Sequence, residues 1–185
     1  MKCSYTVFTL EAKGETVNIL VIVLRLLHIV AAVVWGGGAL IMEFFIGRTI
    51  LATGESGQKF VQHLMNKIRM HRFMTMAAIA TILAGSILYW FDSDGFSSAW
   101  MRSGAGIGFG IGAGFGLIAF VSGGIFGGSN AKLAEIGAQI QGKPTSEQLS
   151  QIQTLQKRIK TVSPIHIYSM IFAMIFMATA RYLVF

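Results

Sequence analysis

Four apolar stretches, each close to the length of a bilayer crossing, limit what this chain can fold into. They cover about residues 17–45, 73–91, 105–128 and 164–185. A helix needs roughly 20 mainly apolar residues to cross a hydrocarbon core of about 30 Å. Hydrocarbon offers no partner to a backbone N–H or C=O, so each crossing must satisfy its own backbone as a helix. Charged residues are only 12% of the chain, about half the share of an ordinary soluble domain, which agrees with lipid as the main solvent. The predicted fold is an all-α integral membrane protein, a four-transmembrane-helix bundle forming one domain over residues 1–185. Amphipathic helices on one side connect the crossings.

The distribution of charge orients the bundle. The net charge is +7, and the cations gather in two long loops. Arg48, Lys59, Lys67, Arg69 and Arg72 lie between the first two crossings, and Lys132, Lys143, Lys157, Arg158 and Lys160 between the last two. Lys/Arg excess marks cytoplasmic loops. The expectation is a multi-pass protein of the bacterial cytoplasmic membrane with both long loops inside and both termini outside. Tyr89, Trp90, Trp100 and Tyr182 would then form an aromatic belt on the outer face. The bilayer is the expected partner, together with other membrane subunits or further copies of the chain. Its basic faces meet anionic head groups. No basic segment carries the interleaved aromatics of a nucleic-acid surface. The single cysteine, Cys3, excludes an internal disulfide or a cysteine metal cluster. Residues 1–16 hold no apolar signal-peptide core, so the first crossing is expected to direct insertion.

The loops carry their own periodicity. Residues 57–71 place Val61, Leu64, Met65 and Ile68 on one side, the pattern of a short helix on the membrane surface. Residues 129–163 predict a helical hairpin, turned at "GKPT", with "TSEQ" opening its second arm as a capping box. The third crossing holds glycine at 104, 106, 108, 110, 112, 114 and 116, then at 123, 124, 127 and 128. As a helix this gives overlapping faces for close approach. Two uses stay open: tight packing in the bundle, or room for a flat macrocycle. Its GxGxxG matches lack the strand and downstream acid of a dinucleotide site.

Three constellations carry candidate chemistry. His166, Met170, Met174, Met177 and Arg181 form one helical stripe in the fourth crossing. Thioethers with an imidazole suit Cu(I), and methionine is also an ordinary packing residue. The second constellation is the histidines. His71 and His166 stand at the inner boundary at one depth, as a bis-histidine haem requires. His28 lies near the outer end, level with Arg181. It could hold haem b or copper alone or with Met177, while Arg25 and Arg181 receive haem propionates. The alternative is an imidazole hydrogen-bonded to a neighbouring helix. Trp35 lies too deep for a belt residue and precedes Gly36-Gly37-Gly38. Third, Glu43 is costly inside a crossing unless paired, and Arg48 and Arg72 are its expected partners. There is no Ser-His-Asp set, paired-carboxylate site, P-loop or HExxH signature, so no catalytic residue is assigned.

The segment "LHIVAAVVWGGG" from Leu27 to Gly38 resembles the opening helix of CopD-like membrane domains, four-helix units associated with copper handling. It is also distantly similar to HemJ-type proteins, small membrane proteins linked to protoporphyrinogen oxidation and haem binding. The resemblance implies functional weight at His28, Trp35 and Gly37, and at Arg48 in the HemJ pattern. Three function classes follow: a protein binding haem b or copper at His28, a non-catalytic accessory subunit of a larger electron-transfer or photosynthetic membrane complex, and a HemJ-like oxidase.

Overall fold

The computed structural model describes residues 19–140 and 142–184. Cys3, the rest of the N-terminal segment and Phe185 lie outside the described residues, as do the first two residues of the predicted first crossing. The described chain is helical with no strand, and four helices are long and apolar enough to cross a membrane. In chain order, α1 is Ile19–Thr53, α2 is Glu55–Gln62, α3 is Met70–Asp92, and α4 is the single turn Ser98–Met101. Helix α5 covers Gly104–Gln139, and α6 covers Ser146–Thr179 with a 3-10 turn, Ala180–Tyr182, at its end.

The helices overrun the predicted crossings because apolar length marks only the part that lipid must cover. At 1.5 Å per residue, α5 and α6 are each longer than about 50 Å, well beyond a hydrocarbon core of about 30 Å. Their far ends form the expected hairpin, with Gly142 at φ +86° in the turn. The predicted capping box is present: Thr145 Oγ1 accepts from the Gln148 N–H at 3.2 Å, and Gln148 Oε1 accepts from the Thr145 N–H at 2.9 Å. Pro164 does not begin a new helix but sits inside α6. The surface helix is shorter than the 57–71 pattern suggests. It starts at Glu55 after an elbow at Gly54 (φ +55°), continues as a π turn over His63–Lys67, and is broken by the left-handed backbone of Arg69. Lys59 beside Glu55 holds that exposed carboxyl below its ordinary range.

Helix α1 is not a uniform α-helix. Two π turns, Val33–Gly37 and Met42–Ile46, each admit an extra residue and rotate the later part of the helix about its axis. The first turns Trp35 and Gly36 into the bundle, where both are buried. At mid-depth, Trp35, Ala78, Ala119 and Met170 meet, one from each crossing helix. The Trp35 indole stands edge-on to Phe120, with centroids 6.3 Å apart and planes at 82°. An indole that deep is core, and the three glycines after it give the space. Gly36 faces the sulfurs of Met170 and Met174, and Gly38 faces Met74.

Helices α5 and α6 pack antiparallel along the glycine ladder. A Cβ added at Gly112 would stand 3.2 Å from Phe176 and 3.3 Å from Met177, and one at Gly108 2.9 Å from the backbone of Ala180. At Gly104 it would collide with the Leu183 carbonyl. The same helix leaves Gly114, Gly116, Gly124, Gly127 and Gly128 with nothing close by. Close packing is therefore the use of the first group. We predict that Gly108→Val destabilises the protein by about 1–3 kcal/mol through overpacking against Ala180, while Gly116→Ala is neutral or stabilising by up to about 1 kcal/mol. Reversible denaturation of the two variants in detergent checks both signs.

Candidate functional site

The helix pairs bring the polar residues of the crossings into register. On α1, Arg25 and His28 lie one turn apart, and both face α3. Arg25 does not snorkel free of the bundle: its Nη2 donates to Asp92 Oδ1 at 3.0 Å, with the side chains 40% and 31% exposed. Asp92 closes α3 at the depth where Arg25 enters α1. Asp92 lies one residue past the predicted crossing 73–91, so apolar length alone does not join it to Arg25. The clue was there, since both charges lie at the same end of antiparallel crossings.

His28 is held by α3. Its Nδ1 is 2.8 Å from the carbonyl oxygen of Thr81. A carbonyl only accepts, so Nδ1 carries the proton and donates; in the neutral ring Nε2 then keeps the lone pair. The ring reaches that carbonyl because residue 85 is glycine: a Cβ there would stand 2.7 Å from Cε1. The construction recurs. His166 Nδ1 donates to the Ala119 carbonyl at 2.8 Å, and a Cβ at Gly123 would stand 2.6 Å from its Cε1. In both cases the accepting carbonyl lies four residues before the glycine. That carbonyl already takes the glycine's own helical N–H, and its second lone pair takes the imidazole. Phe126 stacks on the His166 ring at 6.1 Å and 18°. The hydrogen-bonded imidazole weighed for His28 from the sequence is thus what the geometry shows, and His166, expected at an interfacial edge, is buried.

The methionine stripe is divided. Met170 and Met174 turn their sulfurs to Gly36 of α1, Met177 faces Gly112 of α5, and His166 faces Gly123. The five proposed copper ligands His28, His166, Met170, Met174 and Met177 are therefore spread over three interfaces. Among the described residues no group of three or more His, Cys, Asp or Glu could hold a metal ion. His71 is separate again, its buried Nδ1 lacking a partner among the described residues.

Glu43 corrects a further expectation. Among the described residues the ion pairs are Arg25–Asp92 and Lys59–Glu55, so Glu43 pairs with neither Arg48 nor Arg72. Both arginines lie on the exposed surface, where water and head groups solvate a guanidinium better than a partly buried carboxylate does. Glu43 lies partly buried in the second π turn.

Arg25 and Arg181 do come together. With Asp92, Trp100, Ala105 and Phe109 they line a cavity of about 280 Å³ at the Arg25 end of the bundle. Tyr89, edge-on to Trp100 at 5.1 Å, ties α3 to α5 through its hydroxyl and the Gly106 carbonyl at 3.3 Å. A separate apolar groove of about 410 Å³ runs between α1 and α3, lined by Leu24, Leu27, Leu83, Ala84 and Ile87 among others.

Comparison with protein-family models, with curated proteins and with solved structures found no match for this chain.

The His28 joint makes a sharp prediction. Gly85→Ala should push the imidazole off the Thr81 carbonyl and cost about 1–3 kcal/mol. In a His28→Ala background the same change should cost nearly nothing. A double-mutant cycle measures the difference, and additive effects would separate the glycine from the ring.

Proposed function

We propose that this chain is a multi-pass membrane protein that holds a metal-centred cofactor, haem b in the first instance, with the His28 imidazole as its ligand. One observation supports the reading above the rest. The His28 Nδ1 is held by a backbone carbonyl, so that in the neutral ring Nε2 keeps the lone pair, and this is how ligating histidines are oriented in metal sites. Trp35, Phe120, Met74 and Met170 fill the bundle at mid-depth, so a macrocycle would sit toward the Arg25 end. Haem b, when bound, supplies one-electron exchange. The chain's own part is to orient the imidazole and to keep water out. Copper is the weaker form of the reading, because the thioethers and His28 face different helices.

The reading fits the resemblance of residues 27–38 to CopD-like domains and, more distantly, to HemJ-type proteins. We place the protein in the bacterial cytoplasmic membrane with its basic loops inside, on the charge distribution. No catalytic residue is assigned, and protoporphyrinogen oxidation gains no support from the geometry. One observation favours a second reading, a non-catalytic accessory subunit. The His28 joint is repeated at His166, as a purely structural staple would be.

Absorption spectra of freshly extracted protein, oxidised and reduced, test the proposal. The expected outcome is a Soret band that is lost in His28→Ala and kept in His166→Ala. Stoichiometric copper without a Soret band would redirect the reading to copper. A colourless, metal-free protein, with both histidine variants lowering stability alike, would leave the structural subunit.

A further inference from the structure

The cavity at the Arg25 end has a charge pattern that the fold does not use up. Its lining comes from five parts of the chain: Arg25 of α1, Asp92 at the end of α3, Trp100 of α4, Ala105 and Phe109 of α5, and Arg181 beyond α6. Two guanidinium groups and one carboxylate share the lining, and Arg181 is exposed. Asp92 is taken by Arg25, and Arg181 makes no hydrogen bond or ion pair among the described residues.

The start of α5 adds to the positive field. Ser103 caps this 36-residue helix, its Oγ accepting from the Gly106 N–H at 3.1 Å and its carbonyl from the Ile107 N–H at 3.0 Å. The N–H of Ala105, which lines the cavity, has no acceptor among the described residues. A helix N-terminus with free N–H groups favours an anion, and a guanidinium gives a phosphate or carboxylate a fork of donors. The other walls are the rings of Trp100 and Phe109, parallel within 4° and 6.4 Å apart. Tyr182, 81% exposed, stands beside Arg181. Aromatic rings with a polar rim mark the depth of lipid head groups. The cavity is open to its surroundings and, at about 280 Å³, has room for a phosphate group.

We infer that this cavity binds a phosphate group, that of a phospholipid head in the adjoining leaflet or of a free phosphate ion, between Arg181, the start of α5 and the Arg25–Asp92 pair. The site stands on the cavity and does not need a ligand on His28. It goes beyond the cofactor reading and gives the two arginines an occupant other than propionates.

The test uses the full chain in mild detergent. Native mass spectrometry during graded delipidation should show one retained phospholipid, held about tenfold less well in Arg181→Gln and only partly restored in Arg181→Lys. Titration of the delipidated protein with inorganic phosphate gives the second arm. Arg181-dependent binding there without lipid retention assigns the site to the free ion. Lys157→Gln at the far end should leave both arms unchanged. Equal retention in wild type and Arg181→Gln with no phosphate binding overturns the inference. So does an equal loss in Lys157→Gln, which reports overall charge. Loss of the ligand together with a Soret band in His28→Ala also overturns it, because the cavity would then hold a cofactor's acids.

Discussion

A polar group inside hydrocarbon has no water to fall back on, and this structure answers that constraint almost residue by residue. Hydroxyls along the crossings return to their own helix. Thr75, Thr81, Ser122, Ser129 and Thr179 each donate to the carbonyl four residues earlier, at 2.6 to 2.8 Å. The imidazoles of His28 and His166 reach across to the next helix, whereas His71 Nδ1 and Ser163 Oγ are buried without a partner among the described residues. Thr81 does both, donating its hydroxyl to Ala77 and accepting His28 on its carbonyl. The two histidine joints, the charge pair at one end and the glycine ladder follow from the same demand. Polar atoms must be closed off, and backbones must come close enough to do it.

Much of this was legible in the sequence because lipid makes strict rules. Twenty apolar residues must be a helix, and "TSEQ" after "GKPT" must begin one; the glycine series is approached closely at Gly104, Gly108 and Gly112 but not at Gly114 or Gly116. What the sequence does not state is which helix each residue faces. The stripe from His166 to Arg181 reads as one face, yet Met170 meets α1 and Met177 meets α5, because a helix inside a four-helix bundle touches two neighbours at once. Glu43 shows a second limit. A π turn shifts the phase of everything beyond it, and no local pattern announces the extra residue. Phase counted at 3.6 residues per turn fails from Val33 onward. The pairing of Arg25 with Asp92 was within reach, had depth been counted from both ends of each crossing.

The histidines show how one geometry can serve stability and chemistry together. A carbonyl that pins Nδ1 closes a helix interface and at the same time decides which nitrogen stays basic. At His166 the ring is packed under Phe126 and almost fully buried. At His28 it is only partly covered, one turn below a charged cavity. The same joint is thus set in two surroundings, one closed and one open.

Pro164 stands two residues before the His166 joint, inside α6. Having no N–H, it leaves the carbonyl of Lys160 without its rung and loosens the helix there. The missing rung falls where the long hairpin leaves the crossing, next to the turn on which His166 is seated against Ala119. The imidazole thus adds a bond between helices beside the place where α6 gives up one of its own.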